Sequence, residues 1–342
     1  MIFGIVKKLF ISNNSLLESN GKNVMPSFKV SSLIYSNRSK SIVVPFTALL
    51  IFLAIWDISA SSIVTSLGQV PGPSQVWSQT TVLVDEHIQE REKADKFYQR
   101  QVDRNQKKLE KNPDATVKIR EYTGSPTFID QIFTSLITVL TGFFVASLIA
   151  IPIGIMGGLS STMHKAMNPL IQIFKPVSPL AWLPIVTIIV SAVYTSDNPM
   201  FTKSFVTSAI TVTLCCIWPT IINTALGVSS IDKDLVNVSR VLRLSWFTNI
   251  TKIVLPSSIP MIFAGLRLSL GIGWMVLIAA EMLAQNPGLG KFVWDEFQNG
   301  SSESLARIMV AVFVIGIIGF ILDQTMLFLQ RKVSWDRTAE IR

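Results

Sequence analysis

The residues with the clearest potential for chemistry are charged side chains inside long apolar stretches. Arg267 and Asp323 each interrupt such a stretch, and Lys175 interrupts a third. A charge is costly in an apolar environment, so charged residues at these positions are candidates for function. In antiparallel helices Arg267 and Asp323 would lie at similar depth, about 10 Å from the same end at about 1.5 Å per residue. We expect them to form a structural ion pair, because pairing offsets part of the cost of burying each charge.

Enzymatic chemistry is poorly supported. The apolar runs hold no Ser/His pair, no His/Glu metal motif and no paired acids, which argues against an intramembrane enzyme. Residues 288–291 (Gly-Leu-Gly-Lys) lack the spacing and the Ser/Thr of a phosphate-binding loop. His87 and His164 lie in separate polar segments, so we predict no metal site. Glu281 falls near the end of its run and is expected to be an interfacial or capping group.

The stretches that position these side chains are long enough to cross a membrane. Hydrophobic residues make up 49% of the 342 and charged residues only 15%, against about 25% charged in soluble domains. A membrane helix needs about 20 mostly apolar residues. Six runs meet this requirement: 42–67, 132–156, 170–194, 205–226, 259–283 and 307–329. They predict an all-α membrane protein with six transmembrane helices.

Lysine and arginine are distributed asymmetrically between the short loops. With both termini in the cytoplasm, inner segments hold 15 of these residues and short outer loops hold two, as the positive-inside rule requires. The net charge of +8 therefore reflects membrane orientation, and no nucleic-acid partner is expected. The predicted organisation is a cytoplasmic segment 1–40, a first helix 41–67, a periplasmic polar insert 68–130, a five-helix core 131–330 with a cytoplasmic loop 227–257, and a cytoplasmic tail 331–342.

The insert 68–130 is the one large polar excursion, and it holds 20 of the 52 charged residues. Residues 85–111 predict a solvated helix, since Glu92/Lys96 and Asp103/Lys107 have the favourable i, i+4 order. Prolines bracket the helix on both sides. The insert is either an exposed helical hairpin or arm, or a docking surface for an external partner.

The inner loop between the fourth and fifth runs predicts two short amphipathic helices. One face of the first helix carries Leu235, Val238, Val241 and Leu242. Ser245 is expected to cap the second helix, and Pro256 to mark its stop before the fifth run. Such a loop either transmits movement between the membrane helices and a soluble motor or lies on lipid headgroups.

This loop resembles the coupling loop of binding-protein-dependent ABC importer permeases. The family pattern is Glu-Ala-Ala, three residues, Gly, nine residues, Ile, one residue and Leu-Pro. Asn237-Val238-Ser239 stand at the Glu-Ala-Ala positions and Arg243 at the Gly, while Ile253, Leu255 and Pro256 match the end. Segments 175–184, 265–274, 279–283 and 293–297 are similar to blocks of the nitrate/taurine-type branch, above all to nitrate permeases.

The resemblance implies a type I ABC importer permease-like fold and a transport subunit that is not an enzyme. It implies import of nitrate or a similar small oxoanion across a bacterial inner membrane. Sulfonate/taurine, cyanate or bicarbonate import stays open, as does an ion-coupled secondary carrier or channel. Expected partners are a second permease copy (a homodimer), cytoplasmic ABC ATPase subunits, a periplasmic substrate-binding protein and membrane lipid. ATP and Mg would be bound in the ATPase subunits, with no cofactor bound by this chain.

Two sets of site residues follow. The ATPase-coupling loop comprises Leu235, Asn237, Val238, Ser239, Arg243 and Pro256. The pathway candidates are Lys175, Ser178, Trp182, Arg267 and Trp274. Lys175 also fits a side chain that snorkels to the headgroups, and the tryptophans also fit packing residues or interface anchors.

Overall fold

The computed structural model describes residues 37–65, 68–112, 116–195, 199–301 and 303–333. The chain forms two units, Met1–Ile55 and Trp56–Arg342. Most of the predicted cytoplasmic segment 1–40 and most of the tail 331–342 lie outside the described residues. The expectations about their charges and orientation therefore stay predictions.

The regular secondary structure of the described part is helical apart from one pair of two-residue strands. Its first half contains α1 (Asn37–Ser62), β1 (Val64–Thr65), β2 (Gly68–Gln69), α2 (Pro73–Lys111), α3 (Phe128–Leu159), α4 (Ser161–Phe174) and α5 (Pro179–Val193). Its second half contains α6 (Lys203–Ser229), α7 (Lys233–Val241), α8 (Trp246–Asn249), a π-helical turn (Ile250–Val254), α9 (Leu255–Ala284), α10 (Leu289–Asn299) and α11 (Ser304–Val333). The two strands pair antiparallel, with Val64 opposite Gln69.

Among the described residues, five helices are long and apolar enough to cross a membrane, and α4 with α5 forms a sixth candidate span bent by 97°. The run 170–194 was expected to be one span that Pro179 and Pro184 kink or break, and the break lies just before Pro179. Pro176 and Pro179 remove two backbone donors within four residues, and a residue before proline disfavours helical geometry. Ser178 is accordingly extended and caps α5 by accepting from the Leu180 amide at 3.3 Å. The predicted all-α architecture is confirmed.

The core forms around α6, which packs against α3, α5 and α9. Small residues bring the backbones close, as at Gly142, where an added Cβ would lie 2.7 Å from the Ala209 carbonyl oxygen. The threonine hydroxyls of α6 turn back onto their own helix: Thr211, Thr213 and Thr220 each donate to the carbonyl four residues earlier. Three buried hydroxyls of this helix are thereby satisfied within it, and Thr213 also donates to the Gly142 carbonyl of α3 at 3.1 Å.

The second helix of the inner loop does not stop at Pro256. The chain from Trp246 to Ala284 is one helical rod of 39 residues, so the predicted break is wrong. The π-helical turn just before the proline, in which the Leu255 amide donates to the Ile250 carbonyl, lets the helix continue past a residue that lacks an N–H. Ser245 caps the rod as predicted, accepting from the Thr248 amide at 3.3 Å.

The polar insert is built on one 39-residue helix, α2, which begins at Pro73, earlier than predicted. Residues 116–126 return along it in extended conformation, held by reciprocal hydrogen bonds between the Gln101 side chain and the Arg120 backbone at 2.8 and 2.9 Å. Tyr122 donates to Glu90 at 2.7 Å. This hydrogen bond lowers the pKa of Glu90 and raises the pKa of Tyr122.

Ion pairs attach the base of α2 to the membrane core. Arg91 pairs with Asp130 of α3 at 2.5 Å. Arg307 of α11 contacts Glu86 of α2 and also pairs with Glu296 of α10 at 3.2 Å. The insert is thus an arm with a fixed base, and its role stays a prediction.

Candidate coupling and transport site

The inner loop presents an apolar face to its surroundings. Asp232 caps α7 by accepting from the Asp234 amide at 2.9 Å. The side chains that share the predicted face are all exposed: Leu235, Val238, Val241 and Leu242. Val241, at 81% exposed, has almost no cover from its own chain. A contiguous exposed apolar face of this kind marks a surface that contacts a partner or a membrane.

Ser239 ties α7 to the membrane helix. It is buried, unlike its neighbours on α7, and its hydroxyl donates to the Asn249 side chain at 2.9 Å. The Leu244 amide donates to the Ser239 carbonyl at 3.2 Å and closes the turn between the two helices. Asn249 belongs to the rod Trp246–Ala284, so this hydrogen bond connects α7 to a candidate membrane span.

Arg243 occupies the turn between α7 and α8 with φ +47°, in the left-handed region. Glycine adopts this region without steric cost, whereas a residue with a Cβ is strained there. A glycine, as in the coupling-loop pattern, would form this turn without strain. This chain forms the turn with arginine. Asn237 is exposed on α7.

The structure brings Arg267 and Asp323 together. The guanidinium of Arg267, on α9, donates through Nε and Nη2 to both carboxylate oxygens of Asp323 on α11, the Nη2 contact being 2.7 Å. This two-point geometry is the strong form of an arginine–carboxylate pair. It links two membrane helices and balances the positive charge of Arg267.

Three other pathway candidates lie at the bend between α4 and α5. Lys175 and Ser178 are exposed in the turn, and Trp182 is half-buried on the first part of α5. The Trp182 ring lies 5.9 Å from Phe174, which stacks on Trp218 of α6 at 5.8 Å between centroids. The aromatic contacts fix the bend, and the exposed lysine and serine lie beside them.

Trp274 does not line an open surface. It is 5% exposed, and its indole N–H donates to the Ile315 carbonyl of α11 at 3.0 Å. The side chain is a packing residue between α9 and α11, so the prediction that it faces a pathway is wrong. Its position inside an apolar run was compatible with either environment.

Glu281 was expected to be an interfacial or capping group. It is 1% exposed and therefore not interfacial, but it does cap the start of α10. Its carboxyl group accepts from the Ser135 hydroxyl at 2.8 and 2.9 Å and from the Gly290 amide at 3.0 Å. The Leu289 amide completes the network by donating to Ser135 at 2.9 Å. Sequence reasoning missed this site because α10 folds back onto α9 and supplies the donors from the start of a helix.

No metal centre is evident in the part of the chain that the structure describes. Its His, Cys, Asp and Glu side chains form no group of three or more that could hold a metal ion.

Residues 150–335 match the family described as binding-protein-dependent transport system inner membrane component. The chain belongs to this family. This permease is 39% identical over 205 residues to the nitrate import permease protein NrtB of Synechococcus elongatus, covering 60% of this chain and 69% of that protein. It is 36% identical to the bicarbonate transport system permease protein CmpB of the same organism, covering 59% and 68%.

The fold of this permease also resembles a solved transporter. A chain of the MetNI methionine ABC transporter, in an inward-facing conformation, aligns with a TM-score of 0.54 at 12% identity and covers 60% of this chain and 95% of that one. At that identity the likeness concerns the fold alone. It confirms the predicted type I ABC importer permease-like architecture.

Proposed function

We propose that this permease forms the membrane pathway of an ATP-driven importer for nitrate or a similar small oxoanion. Its relatives include permeases named for nitrate and for bicarbonate, both small planar oxoanions. The proposal places two copies of the chain around one pathway in a bacterial inner membrane, with both termini in the cytoplasm. A periplasmic protein would deliver the anion, and ATP and Mg would be bound by cytoplasmic ATPase subunits.

The observation that carries the proposal is the connection from α7 to the rod Trp246–Ala284. The apolar face of α7 is exposed, while Ser239 on its other side is hydrogen-bonded to the rod. A motor that binds α7 would move the rod without an intervening flexible loop. The two membrane conformations then differ in their contacts with the motor, which is what shifts their populations.

The charge arrangement suits an anion that must also leave. Arg267 is balanced by Asp323, so it does not act as an isolated cationic trap. Lys175 and Ser178 offer a positive charge and a hydroxyl at the bend, where both are exposed. Weak binding by such groups favours passage, because tight binding would slow release.

Replacing Val238 by glutamate tests the coupling role. The variant Val238→Glu puts a charge on the apolar face, and burying it against a motor subunit would cost at least about 2 kcal/mol, or about thirtyfold in affinity. We expect loss of ATPase binding and of anion uptake in proteoliposomes. Lys233→Glu is the control, because helical spacing places it on the opposite side of α7 and it introduces the same side chain. Full uptake by Val238→Glu would contradict the proposal.

The same proteoliposomes separate the alternative functions. Competition of labelled nitrate uptake by nitrite, bicarbonate, cyanate or taurine identifies the substrate class. Uptake by the permease alone, without ATPase subunits or ATP, would instead identify an ion-coupled carrier or a channel.

A further inference from the structure

Helix α2 of the arm carries a stripe of residues that are mostly exposed. The stripe follows steps of four and three residues from residue 77 to residue 109, the spacing of a coiled-coil seam. Its apolar members are Trp77, Val84, Ile88, Tyr98, Val102 and Leu109, all of them exposed. The seam is about 48 Å long at about 1.5 Å per residue, longer than the three to four heptads that define a coiled coil.

The four remaining seam positions are polar, and their types restrict which helix can pack against the seam and in which register. They are Thr81, Arg91, Asp95 and Asn105, of which only Asn105 is half-buried. In an antiparallel pair of identical helices centred near residue 93, each seam position faces a position of the other copy whose number adds with its own to 186. Arg91 then faces Asp95, and Thr81 faces Asn105. We propose that α2 pairs in this way with α2 of a second copy of this chain.

The apolar layers match in the same register. Val84 faces Val102, Ile88 faces Tyr98, and Trp77 faces Leu109. All five layers, each formed twice by symmetry, join side chains of like character or opposite charge. Such a self-complementary surface is what a twofold interface between identical chains requires.

Other arrangements of two α2 helices are disfavoured. A parallel pair in register would set Arg91 against Arg91 and Asp95 against Asp95. An antiparallel pair shifted by one heptad would set Val84 against Asp95 and Ile88 against Arg91. Buried polar and charged seam residues select register and orientation in this manner.

The surface of α2 already has a hollow suited to the second copy. A shallow, open depression of about 310 Å³ is lined by Asp95, Tyr98, Gln99, Val102 and Asp103. Four of these residues stand at positions i, i+3, i+4 and i+7, which is the hole that receives one knob of a facing helix. In the proposed register the knob is Ile88 of the second copy.

The charges needed for the central layer are accessible. The Arg91 side chain is 54% exposed although it pairs with Asp130, and a guanidinium has five N–H donors. Asp95 is exposed and makes no ion pair with any described residue. Residues 120–122 of the same chain lie on the flank of α2 beside the seam, where they contact Gln101, Glu90 and the hydroxyl of the seam residue Tyr98, which accepts from the Tyr122 amide at 3.1 Å.

Cysteine cross-linking in native membrane vesicles tests both the contact and its register. Two differently tagged full-length copies are co-expressed, one with Val84→Cys and one with Val102→Cys, and treated with a short bismaleimide. We expect covalent dimers between the two tags, and background levels for Val82→Cys with Val102→Cys, because Val82 lies on another side of α2. The unsubstituted pair controls for Cys215 and Cys216.

Two results would overturn the proposal: efficient cross-linking of Val84→Cys to itself, which indicates a parallel pair, or no cross-link when both proteins are present in the membrane. Charge reversal gives an independent measurement. Asp95→Arg opposes like charges in both central layers and should lower the cross-link yield about tenfold, while adding Arg91→Asp should restore it. An unchanged yield with Asp95→Arg would exclude the register.

Discussion

Replacing Ser135 by alanine should detach α10 from the membrane core. The Ser135 hydroxyl donates to the carboxyl group of Glu281 and accepts from the Leu289 amide. It is 0% exposed, so water cannot replace it without a local opening. Alanine leaves two buried polar groups on α9 and α10 without that partner while changing little of the volume.

The magnitude follows from these two losses. A buried polar group left without its partner costs about 1–3 kcal/mol, so the variant, which leaves two such groups, should lose about 2–6 kcal/mol. This corresponds to about thirtyfold or more in the opening equilibrium of the segment. Thr134→Ala is the matched control, because its hydroxyl donates only to the Asp130 carbonyl of the same helix.

Hydrogen exchange of the purified permease measures this opening directly. Peptides that contain the Leu289 and Gly290 amides should exchange about thirtyfold faster in Ser135→Ala, while α6 peptides keep their rates. Thr134→Ala should leave both regions unchanged. If the Leu289 and Gly290 amides stayed protected in Ser135→Ala, the network would not be what holds α10, and the reasoning would be refuted.

Three further outcomes are expected. Gly288→Ala should destabilise the permease by about 2 kcal/mol or more in thermal unfolding, because φ at Gly288 is +150° and the new Cβ would overlap the buried Glu281 carboxyl group. Gly271→Ala is the neutral control, because its Cβ would meet open space. An equal loss of stability in both variants would contradict this prediction. Arg243→Gly should stabilise the inner loop by about 1 kcal/mol and slow its proteolysis, because φ at this position is +47°, where glycine is not strained. Faster cleavage of the variant would show that the arginine side chain stabilises the loop more than its backbone strain destabilises it. Lowering the pH through the depressed pKa of Glu90 should remove the stabilisation that its carboxylate provides at higher pH and expose residues 116–126 to pepsin. Tyr122→Phe lacks the hydroxyl that donates to Glu90, so it should be cleaved within residues 116–126 already at the higher pH. Identical cleavage profiles for the variant and the unsubstituted protein would show that the Tyr122–Glu90 hydrogen bond does not hold this segment.

The sequence was sufficient for the spans and for the loop, because both depend on local patterns. Apolar length alone located the membrane helices, and Ser245 was recognisable as a cap from its position before an amphipathic segment. Arg267 and Asp323 were expected to meet because depth is readable from residue counts along antiparallel helices.

Features that depend on non-local packing were beyond the sequence. Pro256 predicted a stop, but the π-helical turn before it accommodates the ring. Glu281 was expected to be interfacial or capping; it caps the start of α10, but α10 folds back and buries it. Trp274 could not be assigned to a pathway or to a core, because an apolar run gives the same periodicity in both settings.

The threonines of α6 bear on how the permease is assembled. Three of their hydroxyls have acceptors on their own helix, which lowers the cost of placing α6 in lipid before its neighbours are present. Its packing against α3 then combines the close fit of small side chains with one shared polar contact, from Thr213 to the Gly142 carbonyl at 3.1 Å. The most enclosed helix of the bundle therefore carries little unmet polarity of its own into assembly.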